Sequence, residues 1–197
     1  TLRQTAGSAG QIATLIMGAD AAWGESAGPA KPNALPQRPK VSERAIEEVA
    51  KLVKKGSKTA FLLEHHAAEQ SAMSAASKIA SKMGSKLFNG TFPARVDGGP
   101  GRVAIERLPY FPEQVLSALK GIENLILVGG EIPASFFAYK NTPGQLIPEG
   151  CKVTRLTSIE EDATDALERL ADRLGASNSS VSYFEKKEIE KPSVLSS

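Results

Sequence analysis

Two adjacent histidines, His65 and His66, follow a short apolar run from Thr59 to Leu63 and stand next to Glu64. Imidazole can ligate a metal or carry a proton near neutral pH. A zinc site would need one or two further ligands at workable spacing. The chain has only these 2 histidines, and no Cys or His cluster completes them. Metal binding is therefore not expected. The pair reads as polar residues at a strand end, with contact to a ligand as the second reading.

Gly129-Gly130 directly follows the apolar run Leu125–Val128. In an open α/β sheet, ligands sit in the crevice beyond the carboxyl ends of the strands. Glycines there would let backbone N–H groups approach a ligand, since no Cβ intervenes. A plain strand-to-helix turn explains the same pair. The run Gly98-Gly99-Pro100-Gly101-Arg102 matches neither G-x-x-x-x-G-K-[ST] nor G-x-G-x-x-G, so a turn is the first reading. Arg95 and Arg102 could clamp a phosphate or carboxylate, because guanidinium pairs in bidentate fashion. A nucleotide or flavin, if bound, would lie across Gly129, Gly130, His65, His66 and Arg102. Cys151 is the only cysteine and reads as a small apolar residue. No paired carboxylates, nucleophile elbow or catalytic residue can be named.

The elements that must position these residues alternate. Ser42 is a good N-cap for a helix with Ile46, Val49 and Leu52 on one face. Thr59–Leu63 follows as a strand. An Ala-rich helix is expected over 67–83, ended by Gly84, and a strand over 86–88. Residues 89–112 form a long loop. A short helix is expected over 113–119, and the strand at 125–128 is expected to be central. A further helix is expected from Pro133 to Tyr139, and a last strand over 152–156. Ser158-Ile159-Glu160-Glu161 has the form of a capping box that would start a helix ending at Gly175. Helices alternating with short apolar strands predict an α/β fold, a parallel sheet with helices on both faces.

Ahead of this body, Gln11–Met17 looks like an orphan strand, the end of some other unit. Pro29, Pro32, Pro36 and Pro39 then mark an extended linker. The stretch after Ala176 is polar and reads as a linker or disordered tail. Phe92, Tyr110, Phe111, Phe136, Phe137 and Tyr139 cluster around the long loop and just past the strand at 125–128. They read as loop anchors or as an apolar wall against a neighbouring domain or subunit. Asp20 and Trp23 would sit at a boundary of the same kind.

The 197 residues suffice for one domain with a good core, or one domain with pieces of a neighbour. Apolar content of 41% and charged content of 23% are ordinary for a soluble globular chain. The net charge of +2 gives no field that would draw in nucleic acid, and no segment is long and apolar enough to span a membrane. No signal peptide is expected, and the cytoplasm or an organelle would suit the lone cysteine. The chain starts at Thr1, so a fragment or processed product is expected.

Several stretches together carry a family likeness. QIATLIMGADAAWGE (11–25) resembles the end of the pyrimidine-binding domain of thiamine diphosphate-dependent enzymes, in the acetolactate synthase-like branch. TFPARVDGGPGRVAIERLPYFPEQ (91–114) and LILVGGEIPASFFAY (125–139) resemble the middle domain of that branch, and LIPEGCKVTRL (146–156) its closing strand. The resemblance implies residues 1–24 as the end of the pyrimidine-binding-type domain, 25–41 as linker, 42–176 as a Rossmann-like middle domain and 177–197 as linker or tail. It further implies a homo-oligomeric parent of three domains. The parent would use thiamine diphosphate and Mg²⁺ to cleave or form carbon–carbon bonds next to a carbonyl. Its cofactor-activating glutamate and G-D-G motif belong to the flanking domains, and no G-D-G occurs here. By this resemblance the chain alone binds no thiamine diphosphate and is not catalytic. Middle domains of the family hold FAD or an adenine nucleotide in some members and are only structural in others. A stand-alone nucleotide- or flavin-binding module and an interaction scaffold are the alternatives.

Overall fold

A computed structural model describes residues 12, 14–26, 28, 29, 31, 34, 36–54, 56–138 and 140–186. Five strands build one sheet: β1 (Thr59–Leu63), β2 (Lys86–Asn89), β3 (Glu106–Arg107), β4 (Asn124–Val128) and β5 (Lys152–Thr157). Their order is β3-β2-β1-β4-β5, and every neighbouring pair is parallel. The α/β class expected from the alternation is thus observed. The middle strand is β1, buried along its whole length. β4, expected at the centre, lies between β1 and β5.

Successive strand residues face opposite sides, so each strand feeds two cores. On one face Phe61, Leu63, Ile126, Val128 and Leu156 meet helices α2 (Glu43–Leu52), α3 (Gln70–Met83) and α5 (Ala163–Arg173). Ala72, Ala75 and Ala76 of α3 are buried there, and their small side chains permit close helix-to-sheet approach. On the other face Ala60, Leu62, Leu125, Leu127 and Phe88 pack against Val115 of α4 (Pro112–Ala118), with Leu108, Leu119 and Leu146. Both faces are therefore covered by helices.

Helix starts follow local chemistry. Ser42 Oγ accepts the Ala45 N–H at 3.2 Å and caps α2. Gly84 closes α3 in the left-handed region, where a side chain would be strained. The expected capping box at 158–161 forms only in part. The Ser158 N–H donates to Glu161 Oε2 at 2.7 Å, closing a turn, and α5 begins later at Ala163. Its cap is Asp162, which accepts the Asp165 N–H at 3.0 Å. An anionic cap also suits the positive helix N-terminus.

Other expectations are corrected. Residues 133–138 are not helical: Ala134 bridges Gln145, and the Leu146 N–H donates to the Pro133 carbonyl at 2.7 Å. Pairing with 144–146 satisfies this backbone in place of a helix. The start of the long helix is a separate 3-10 turn, His65–Ala68, ahead of α3. The described residues of the expected strand 11–17 are exposed and unpaired with the sheet, Ile12 and Ile16 above 90% exposed. A strand needs a hydrogen-bonding neighbour, and this sheet offers none there; Gln11 and Ala13 lie outside the described residues. A short, fully exposed helix α1 (Ala19–Trp23) follows. The described part of the tail is tied down: Tyr183 bridges Val103, and the Ser182 N–H donates to Ser77 Oγ at 3.0 Å.

The two candidate caps of α5 make separable predictions. Asp162→Ala is expected to cost about 1 kcal/mol in urea unfolding, as lost caps do. Ser158→Ala should stay within about 0.5 kcal/mol, the range of neutral surface changes.

Candidate functional site

The order of the strands reverses between β1 and β4, so the fold's switch point lies beyond the carboxyl ends of these two. The chain leaves β1 through Glu64, whose N–H donates to the Val128 carbonyl at 3.0 Å. His65 follows in the left-handed region, at φ 52°, and turns the backbone into the 3-10 helix. That turn sends the Glu64 side chain into a slot between Gly90, just after β2, and Gly130, just after β4.

The slot exists because both walls are glycine. A Cβ at Gly90 would fall 1.9 Å from Glu64 Oε1, and one at Gly130 would fall 1.9 Å from Oε2. At Gly129, with φ +73°, a Cβ would stand 2.8 Å from the Glu64 carbonyl oxygen. The Glu131 N–H donates to Glu64 Oε2 at 3.2 Å. Burial pushes the Glu64 carboxyl above the ordinary glutamate range, against the lowering pull of that N–H and of nearby His65.

A cavity of about 280 Å³ opens beside this carboxylate. Leu62, Leu108, Ile132 and Leu146 line it, with Phe92 and Phe136 among its walls. The two rings meet edge to face with centroids 4.6 Å apart, and Tyr110 stacks behind Phe136 at 6.2 Å. Phe111 extends the cluster from Tyr110, at 5.2 Å. All four rings are exposed. Tyr139 lies outside the described residues.

The five residues expected to contact a nucleotide are only partly brought together. Gly129 and Gly130 are buried at the switch point. The Gly129 N–H, however, is engaged by Thr157, at 3.1 Å from its carbonyl and 2.9 Å from Oγ1. His65 stands exposed at the end of β1. His66 turns toward α5: its Nε2 lies 2.7 Å from the Glu161 carbonyl, which fits an Nε2–H donor. Burial, with the Arg38 charge behind it, holds His66 below the ordinary imidazole range. Arg102 is exposed on the segment paired with 182–184 and does not line the cavity. Arg95 pairs with Asp97 at 3.4 Å, and Asp97 in turn accepts the Gln70 N–H at the start of α3.

Two features at the switch point count against a flavin or adenine dinucleotide there. A diphosphate would need free N–H groups and positive potential there. It would meet the Glu64 carboxylate and a Gly129 N–H already spent. Among the described residues, no three His, Cys, Asp or Glu side chains converge as metal ligands. No described helix is long and apolar enough to cross a membrane. Sequence reasoning missed Glu64 and Gly90. The available signal was a carboxylate at one strand end with glycines after two neighbouring strands.

This parallel five-stranded layer is of the kind found in thiamine diphosphate-dependent enzymes. Its fold matches "X-ray structure of a putative thiamin diphosphate-dependent enzyme isolated from Mycobacterium smegmatis" with a TM-score of 0.55 and 19% identity, over 82% of this chain and 34% of that one. It matches the Rhodococcus jostii RHA1 thiamine diphosphate-dependent 4-hydroxybenzoylformate decarboxylase with a TM-score of 0.59 and 15% identity, over 83% and 33%. No family model matches the chain. In sequence it is 35% identical over 167 residues to "Putative acetolactate synthase large subunit IlvX" of Mycobacterium tuberculosis, across 85% of this chain and 32% of that protein. The chain thus resembles one stretch of an acetolactate synthase large subunit-like protein, and it shares its fold with part of thiamine diphosphate-dependent enzymes. It spans about a third of the length of each of these relatives.

The glycine slot predicts coupling. Gly130→Ala should destabilise the chain, and most of that cost should vanish when Glu64 is also Ala. The coupling in a double-mutant cycle is expected at roughly 0.5–3 kcal/mol by urea unfolding. Gly129→Ala should remain costly in both backgrounds, because its φ is positive and it faces a carbonyl oxygen. Equal cost of Gly130→Ala with and without the carboxylate would refute the slot.

Proposed function

We propose that the chain is the middle domain of an acetolactate synthase-like 2-oxo-acid decarboxylase or carboligase, non-catalytic by itself. Residues 42–176 are that domain. Residues 1–24 are the end of the preceding pyrimidine-binding-type domain, 25–41 a linker, and 177–197 a linker or tail. Its role is to space the two domains that hold thiamine diphosphate and Mg²⁺ and to support assembly of a homo-oligomer. In the parent the cofactor supplies the electron sink for bond cleavage next to the carbonyl.

One observation carries this reading: a continuous match over 85% of the chain that amounts to 32% of the relative. The layer of five strands with both faces covered supports a self-contained unit inside that longer protein. The sequence also has no G-D-G motif through which Mg²⁺ and the diphosphate would be held. The cavity at the switch point favours a second reading, a nucleotide- or flavin-binding module, and the Glu64 carboxylate in the slot counts against it.

The test is to incubate the chain with thiamine diphosphate, Mg²⁺ and pyruvate and follow release of carbon dioxide. No turnover above buffer is expected, and sustained turnover would contradict the proposal. In parallel, FAD or ADP at millimolar concentration should leave the melting temperature unchanged. A saturable rise would favour the binding module instead.

A further inference from the structure

The cavity beside Glu64 has a chemical character that the spacer role does not use. Two carboxylates line it, Glu64 and Glu131, and no Lys or Arg does. Glu131 is paired with Arg155 on β5. Among the described residues, the Glu64 carboxylate has no ion pair and accepts one hydrogen bond, from the Glu131 N–H. A carboxylate has roughly four acceptor positions, so most of its capacity remains unspent. Thr91 and Ser135 also line it, with hydroxyls that already donate to the Pro109 and Pro143 carbonyls, and the other walls are apolar, two exposed phenyl rings among them.

Partial burial makes such an acceptor strong toward a cation, because less water competes for it. The neighbouring rings add to this. The face of a phenyl ring attracts a cation within about 6 Å, by roughly 0.5–1 kcal/mol at exposed sites. An anion meets no Lys or Arg in the cavity and two hydroxyls whose protons are already donated, and a zwitterion would leave its carboxylate against Glu64 or Glu131. The volume of about 280 Å³ sits just below the usual range for small-molecule pockets, so the occupant is a single-ring-sized molecule.

We propose that this crevice binds a small organic monocation, an amine or amidine carrying one flat or short apolar group. Its N–H groups donate to the Glu64 carboxylate, and its apolar part lies against Phe92, Phe136 and Ile132. The glycines at 90 and 130 serve the site by letting the carboxylate stand at the cavity wall instead of being pushed out by a Cβ. The proposal does not depend on the spacer role and holds whether or not the chain works within a longer enzyme.

The experiment is a titration of the isotopically labelled chain with benzamidinium, followed by backbone amide NMR, with neutral benzamide and anionic benzoate as controls of similar shape. Benzamidinium is expected to shift the amides of Gly90, Gly130 and Glu131 saturably. It should bind at least about tenfold tighter than benzamide, equivalent to about 1.4 kcal/mol. Benzoate should not bind. Glu64→Gln keeps the shape of the side chain and should lose the preference for benzamidinium over benzamide, while Phe136→Ala should weaken both. Equal binding of benzamidinium and benzamide to the unaltered chain would overturn the proposal. So would shifts confined to other surfaces, or no saturable shift up to about 50 mM, weaker than the millimolar limit of useful affinity.

Discussion

A half-buried carboxylate held between two glycines organises the carboxyl edge of this sheet. Glu64 leaves the middle strand and threads its side chain past Gly90 and Gly130, which follow the strands on either side of it. Any side chain at these two positions would collide with the carboxylate, so three separate loops are fixed to one another by what two of them lack. The carboxylate then takes the Glu131 N–H, which sets the direction of the chain as it leaves β4. Its raised affinity for protons has a consequence for stability. The contribution of Glu64 is fully present below the ordinary glutamate pKa and is lost as pH rises through the raised value. The ionised form of Glu64 is thus a cost to the fold.

The opposite face of the sheet is held differently. Three helices lie on it, and α5 is joined to the segment before and within α2 by charged pairs. Lys40 meets Asp165 at 2.6 Å, Arg169 bridges Asp165 and Glu43, and Arg173 meets Glu47. Lys40, Glu43 and Arg173 are largely exposed, so solvent screens these pairs and they add little to the fold. The buried contacts of Ile46, Val49, Leu167 and Leu170 with the sheet carry the packing. His66 adds a polar tie across the same junction, from the end of β1 to the chain entering α5.

The fold was legible where local pattern and tertiary need agree. Apolar runs of strand length bounded by Gly gave β1, β2, β4 and β5, and Ser42 and Gly84 marked helix ends that the structure keeps. Pattern failed where partners distant in sequence decide the outcome. Residues 133–138 pair with 144–146, the tail pairs with 101–104, and β3 is only two residues long. The site was half legible. Gly129 and Gly130 were singled out for their position, but the reason for Gly130 is the side chain of Glu64, 66 residues earlier in the chain. In the sequence Glu64 is merely the neighbour of two histidines, because a sequence shows a carboxylate without showing the slot that receives it. The charge of Arg102 suits the crevice, but the topology carries it elsewhere.

The most direct measurement is a carbon-13 NMR titration of the Glu64 side-chain carboxyl in the folded chain. A carboxylate seated in the glycine slot titrates above the ordinary glutamate value of about 4.3. A midpoint at or below that value would mean a solvated Glu64 outside the slot, and would contradict the arrangement on which the crevice is built.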